Sequence, residues 1–351
     1  MKKWLSILLA VMIMLLAACG NDEKMNGSTD KSADGKPEKK EIELVGVRDA
    51  QISSQQIIAE KKGYFKEEGL TVKNKLIESG PDIAPLVSGG SAPISLQTNF
   101  MDIILASNNV KVKIVAPLAQ IAGTQAVVAG PKANISSPKD IEGKTIGIPS
   151  GADVKIAINK MASENGVNMD KVKIANLAPS DALAALQNGS IDAMAGWEPF
   201  ITKAIGEGGK LMFSGTKNYL DGEEKDVNWM SVHSTLQVTD EYLKDNPNTV
   251  KAVIRALEKA TTFINDHREE AVKILAPELH LSEAELTEIM NRNVYDMQVD
   301  DTFIDGSNGK GVTDYLMDTK NISTVPNQSD YIDLSLLKDV NSNLVKADIK
   351  K

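Results

Sequence analysis

Along most of the chain, short apolar runs alternate with stretches whose apolar residues recur at helical spacing, the pattern of strands feeding helices in an α/β protein. The stretch from Ser136 to Asp153 shows it most completely. Ser137, with Pro138 next and Asp140 three residues on, predicts a capped single turn that Gly143 ends. Residues 145–148 predict a strand and Pro149-Ser150-Gly151-Ala152-Asp153 a polar loop. Val154, Ile158, Met161 and Ala162 then mark the buried face of a helix. In such sheets ligands sit at the carboxyl ends of strands, where free N–H groups at a helix start receive polar atoms. A single loop of this kind is as easily structural, so a ligand site requires several that converge.

The preceding hundred residues carry the same order of elements. Residues 42–47, 70–76 and 94–96 predict strands; between them come a polar loop at 48–54, a helix over 55–62 stopped by Gly63, and a short helix over 82–87 before Gly89-Gly90. The order returns as strand 145–148, a helix to Glu164 with Gly166 behind it, strand 172–177, helix 180–187, Gly189 and strand 191–194. Val45-Gly46-Val47 precedes Ile146-Gly147-Ile148 by 101 positions, Asp82 precedes Asp181 by 99, and Gly89 precedes Gly189 by 100. Two similar βαβαβ units are therefore expected, with a first crossover at Gly123-Thr124-Gln125.

After Trp229 the pattern changes. Residues 234–238 predict a returning strand, and Asn246-Pro247 opens a long helix with Val250, Val253, Ile254, Leu257, Thr261 and Ile264 on one face. Two more helices begin at His267 and at the capping box Ser282-Glu283-Ala284-Glu285. The tail from Asn293 has shorter periodicity, punctuated by Gly306, Gly309, Gly311 and Pro326. If the strand returns to the first unit, the chain crosses between lobes twice, which makes a hinge.

The N-terminus changes the picture of where the body sits. Met1-Lys2-Lys3 is basic, residues 4–16 are an apolar run of 13, and Leu16-Ala17-Ala18-Cys19 follows. That run is short for a membrane span and reads as a signal peptide, 1–18. The tetrad resembles the bacterial lipobox, which implies lipid on Cys19, the sole cysteine. Residues 19–40 read as a lipidated, solvated tether. Loss of Lys2 and Lys3 with the leader makes the mature chain two charges more acidic than the −9 of the whole, which argues against nucleic-acid partners. The remaining length, about 310 residues, exceeds one typical core. It divides into lobe 1 at 41–125, lobe 2 at 126–233, and a return to lobe 1 with C-terminal helices at 234–351.

Several segments together resemble the substrate-binding lipoproteins of ABC importers, within the family serving nitrate, sulfonate, taurine and thiamine-precursor pyrimidine uptake. They are Gly63-Tyr64-Phe65-Lys66-Glu67-Glu68-Gly69-Leu70, Lys139-Asp140-Ile141-Glu142-Gly143-Lys144-Thr145-Ile146-Gly147, Ala182-Leu183 through Gly189-Ser190-Ile191-Asp192-Ala193 to Trp197-Glu198-Pro199, and Asn246-Pro247. The resemblance implies a type II periplasmic-binding-protein fold, with two doubly wound lobes joined by a two-strand hinge. It implies a monomer, lipid-anchored on the extracytoplasmic face of the membrane, that closes on a solute and delivers it to ABC permease subunits with a cytoplasmic ATPase. Two segments depart from the family's pattern: Ser95-Leu96-Gln97-Thr98-Asn99-Phe100 and the loop Pro149 to Asp153.

Four loops at strand ends form the candidate site. Lobe 1 offers Arg48, Asp49, Gln51 and Ser53, then Gln97, Thr98, Asn99 and Phe100; lobe 2 offers Ser150, Gly151 and Asp153, then Trp197 and Glu198. Arg48, one of four arginines, suits a carboxylate, sulfonate or phosphate and equally fits a plain surface position. Asp49, Asp153 and Glu198 suit a cationic group, and both signs together suit a zwitterion; Glu198 also fits a brace of its own loop. Trp197, Phe100 and Trp229 suit stacking or a core role. Thr124 and Gln125 add neutral donors and acceptors, and Asp181, at a helix start, is expected away from the strand ends.

Enzymatic readings find less support. His233, His267 and His280 have no metal-ligand spacing, and there is neither a Gly-x-Ser-x-Gly elbow nor a phosphate loop. No cofactor and no metal are expected. An enzyme on the same fold and a non-transport surface sensor remain the alternatives from other classes.

Overall fold

The computed structural model describes residues 35–78, 80–307 and 310–349. The leader, Cys19, the tether to residue 34 and Gly309 lie outside the described residues. From Lys36 onward the chain builds two mixed sheets. The first contains β1 (Glu41–Val47), β2 (Thr71–Ile77), β3 (Ile94–Thr98), β4 (Val112–Gln120), β12 (His233–Thr239) and β13 (Val294–Tyr295), in the order β13-β4-β12-β3-β1-β2. The second contains β5 (Ala126–Ala129), β6 (Thr145–Ile148), β7 (Lys173–Asn176), β8 (Ala193–Gly196), β9 (Lys210–Ser214), β10 (Lys217–Asn218) and β11 (Lys225–Asp226), in the order β11-β10-β9-β5-β8-β6-β7.

The two sheets repeat one plan. In each, a first strand lies between two parallel partners, β1 between β2 and β3, and β6 between β7 and β8. An antiparallel strand comes next, β12 in the first sheet and β5 in the second, followed by β4 or β9, antiparallel to it. Each of β5 and β12 is the strand by which the chain arrives from the other lobe, through 121–125 outward and 227–232 on return. Gly46 and Gly147 occupy matching places in the first strands. A Cβ on Gly46 would lie 2.3 Å from Ser53 Oγ, and one on Gly147 would lie 2.6 Å from Ile191 Cδ1. The sequence echo Val-Gly-Val and Ile-Gly-Ile is thus a packing requirement in both lobes.

Most predicted elements fall within a few residues of their expected bounds. Ser137 and Asp140 form the capping box of a turn at Pro138–Ile141, and Ser282 and Glu285 cap the helix Glu283–Asn291. The helix Pro247–Asp266 buries Val250, Val253, Ile254, Leu257, Thr261 and Ile264. Strand β4 and the helix Asn99–Ser107 escape the alternating pattern. β4 is almost wholly buried, so it reads as a continuous apolar run, and its Pro117 sits where the pairing with β12 shifts register. The tail folds back on the first sheet, where Ile332 bridges Ile114; within the tail Val299 bridges Val345, and Tyr331 is fully buried. Such short pieces depend on tertiary contacts more than on their own periodicity.

Residues 38–40, at the end of the expected tether, are tied to the body. The Glu38 carboxylate accepts hydrogen bonds from the Asn248 and Thr249 backbone N–H groups at 3.1 and 2.8 Å, at the start of the helix Pro247–Asp266. Among the described residues no helix is long and apolar enough to cross a membrane.

Candidate functional site

The carboxyl ends of both sheets' parallel strands converge on a cavity of about 280 Å³. Each contribution from one lobe has a counterpart in the other about one repeat away. Asp49 follows β1 and Ser150 follows β6; Gly80-Pro81 follow β2 and Ala178-Pro179 follow β7; Gln97 and Thr98 end β3, and Trp197 follows β8. The crossover supplies Ile121 and Gln125. Larger hollows of about 510 Å³ exist, one on the lobe 1 helices and one between the helix Lys155–Glu164 and the C-terminal segment, but neither draws on these strand ends.

Of the residues expected at the site, Asp49, Gln51, Gln97, Thr98, Phe100, Ser150, Gly151, Asp153 and Trp197 line this cavity. Arg48, Ser53, Asn99, Thr124, Glu198 and Trp229 do not. Arg48 pairs with Glu78 at 3.1 Å and donates to the Glu278 carbonyl at 3.1 Å. The Ser53 hydroxyl is buried against Gly46. Asn99 accepts from the His233 N–H and donates to Ser307 Oγ, tying the end of β3 to the tail. Trp229 donates to Glu164 and packs edge-on to Phe213, 5.4 Å between ring centres. Asp181 is in the first turn of the helix Pro179–Asn188, whose entry residues Ala178 and Pro179 line the cavity, so this helix start faces the strand ends after all.

Thr124 and Glu198 lie just behind the lining and hold it. Gln51 Nε2 donates to the Thr124 hydroxyl at 2.8 Å, while Gln51 Oε1 accepts the Glu198 backbone N–H at 3.3 Å. One lobe 1 amide is therefore shared between the crossover and lobe 2. The Glu198 carboxylate is buried against Arg292, and it accepts the Thr202 N–H at 3.0 Å. Burial raises the Glu198 pKa although Arg292 opposes the shift. Gln97 is similarly committed: it donates to the Gly80 carbonyl at 2.7 Å and accepts the Thr98 N–H at 2.9 Å.

Two carboxylates, one from each lobe, are the charged groups of the lining. Burial pushes Asp49 up to about 7, against hydrogen bonds from the Ile52 and Gln51 N–H groups at 2.7 and 2.9 Å. Burial pushes Asp153 up to about 6, against the N–H groups of Val154 and of Asp153 itself. Among the described residues no lysine, arginine or histidine lines the cavity. The residues that sequence reasoning missed are mostly apolar walls, among them Pro81, Met101, Pro149 and Pro179. The repeat carried a signal for two of them, because Pro81 and Pro179 sit 98 positions apart, each at the entry to the helix that precedes β3 or β8. Among the described residues no group of His, Cys, Asp and Glu side chains could hold a metal ion.

Two lobes crossed twice by the chain, with a cavity walled by the strand ends of both, define a periplasmic-binding-protein fold. The family model described as NMT1/THI5 like matches residues 53–271, and the chain belongs to that family. It is 26% identical over 294 residues to a Bacillus subtilis (strain 168) protein named as a candidate aliphatic sulfonates-binding protein, covering 78% of this chain and 77% of that one. In fold it is similar to the periplasmic aliphatic sulphonate binding protein SsuA from Escherichia coli. The TM-score is 0.70 at 15% identity, covering 84% of this chain and 92% of that one. It is also similar in fold to the desulfurization enzyme DSZB, with a TM-score of 0.64 at 12% identity, covering 87% of this chain and 99% of that one.

Proposed function

We propose that this chain is a lipid-anchored extracytoplasmic solute-binding protein that captures one small polar molecule between its lobes and delivers it to an ABC permease. The observation that carries the reading is the cavity itself, walled by matching strand ends of two lobes between which the chain crosses at 121–125 and 227–232. A solute touching both walls stabilises the closed arrangement, because only there are Asp49 and Gln97 in reach together with Ser150 and Asp153. Closure then supplies a surface that a permease can distinguish from the empty state. The relatives named for sulfonate binding support a transport role, and the leader with Cys19 supports the membrane anchor.

The body acts as a monomer in this reading. An enzyme is the alternative that the likeness to DSZB keeps in view, since fold does not determine chemistry. The relatives named as binding proteins favour binding over turnover.

Small-angle scattering with and without solute tests the reading, using a panel that includes taurine, ethanesulfonate, nitrate and benzamidine. Compaction by a compound that calorimetry shows to bind at one site, and that is recovered unchanged, is the expected result. Binding without compaction, or conversion of the solute, overturns it. For the anchor, Cys19→Ala should yield a folded protein released from membranes, and retention after a high-salt wash overturns that part.

A further inference from the structure

We propose that the solute is a small organic cation whose N–H groups are taken by Asp49 and Asp153 from opposite lobes and by Gln125 at the crossover. The inference rests on the solute-binding reading above and concerns the charge of what is bound.

Among the described residues the lining holds two carboxylates and no basic side chain. Arg48, the basic residue nearest in sequence to either, is turned to Glu78 and the Glu278 carbonyl and does not line the cavity. An anion here would meet two like charges with no counter-charge on the wall, whereas a cation would relieve both.

The neutral groups point the same way. Gln125 is buried and lines the cavity, and its Oε1 has no hydrogen-bond partner. A buried acceptor left empty is costly, so it calls for a donor from the solute. Of the other lining amides, Gln51 donates to Thr124 and Gln97 to the Gly80 carbonyl. Asp49 uses Oδ1 for two backbone N–H groups, and no hydrogen bond engages its Oδ2 among the described residues. The apolar walls include Phe100 from lobe 1 and Trp197 from lobe 2, and aromatic surface attracts a cation. The volume matches about nine waters at ~30 Å³ each, room for one compact molecule.

A cation also explains how closure is tied to occupancy. Without it, bringing the two lobes together brings Asp49 and Asp153 together. With it, both carboxylates gain a shared partner, and the closed state is stabilised by the solute alone.

The test uses one flat skeleton in three charge states, benzamidine, benzamide and benzenesulfonate, with agmatine and choline as further cations and taurine, ethanesulfonate and nitrate as further comparators. Thermal shift and calorimetry on the lipid-free mature protein should show a cation binding at least tenfold more tightly than any anion. Asp153→Asn and Asp49→Asn should each weaken it about tenfold to a hundredfold. Absence of binding by every cation overturns the proposal, as does full cation affinity in both variants. If an anion binds and compacts the protein while no cation does, the charge assignment fails and the solute-binding reading stands. If nothing in the panel binds or compacts the protein, both fail.

Discussion

The Arg292 guanidinium lies 2.5 Å from the Glu198 carboxylate, whose side chain is fully buried. Arg292 belongs to the segment after the helix Glu283–Asn291, and Glu198 belongs to lobe 2, so the pair fastens the C-terminal part to the second lobe beside the cavity. Arg292 also donates to Thr202 Oγ1 at 2.7 Å, which makes the contact a small network. Removing one partner leaves a charge buried without compensation. Arg292→Met should therefore cost about 3 to 5 kcal/mol in chemical denaturation. The double variant Arg292→Met/Glu198→Gln should recover a large part of that loss, and equal losses in the single and double variants would contradict the pairing.

The two cavity carboxylates predict a pH dependence of fixed sign. Both are raised above the ordinary aspartate value of 3.8, Asp49 to about 7 and Asp153 to about 6. The aspartates add to the upward shifts of two tyrosines that burial raises most, Asp49 acting on Tyr295 and Asp153 on Tyr315. Between the unfolded and folded values the native state holds more protons, so this contribution to stability is present below pH ~4 and lost as pH rises toward ~7. The Asp49→Asn/Asp153→Asn protein without solute should show a flatter profile, more stable than wild type by on the order of 1 to 3 kcal/mol at pH 8. Thermal unfolding from pH 4 to 8 checks this. Binding of a cation should release protons near pH 6.5, with affinity rising as pH rises, and proton uptake would point to an anion.

Gly46 and Gly147 predict matched packing defects in the two lobes. Gly46→Ala puts a methyl 2.3 Å from both Ser53 Oγ and Gln56 Oε1, and Gly147→Ala puts one 2.6 Å from Ile191 Cδ1. Each should destabilise by about 1 to 3 kcal/mol through displacement of the neighbouring helix or loop. Gly63→Ala is a different case, since nothing lies within 4 Å but φ is +79°. Its cost should come from backbone strain alone and stay near 1 kcal/mol. A neutral Gly46→Ala in thermal unfolding would show that the helix can retreat freely.

Glu38 predicts that the start of the body contributes to its stability. Burial alone would raise its pKa, but hydrogen bonds from Thr249 and Asn248 outweigh that and hold it below the usual carboxylate value. It also meets the positive end of a 20-residue helix. Glu38→Ala should lower stability by about 0.5 to 2 kcal/mol at pH 7. With a lowered folded pKa the contribution is present above pH ~4.5 and lost as pH falls through the folded value, so the difference from wild type should vanish at acid pH. A constant difference from pH 3 to 7 would assign the effect to packing.

The sequence by itself determined the two-lobe plan, because periodicity, caps and glycines are local signals: Gly46 and Gly147 share one packing problem, and Ser137 and Ser282 cap the turns that follow them. It also brought Asp49, Gln97, Ser150, Asp153 and Trp197 forward, since each ends or follows a strand in a repeat that could be counted. Only the tertiary structure decided which of these side chains are free to meet a solute. Arg48 and Glu198 look alike in sequence, charged residues beside strand ends, yet one is claimed by Glu78 and the other by Arg292, partners 30 and 94 positions away. The same holds for Gln125, whose open acceptor is a consequence of what does not reach it. A hydrogen-bond or charge partner distant in the chain leaves no local periodicity, so commitment and freedom of polar groups, and with them the charge of the cavity, are settled by packing.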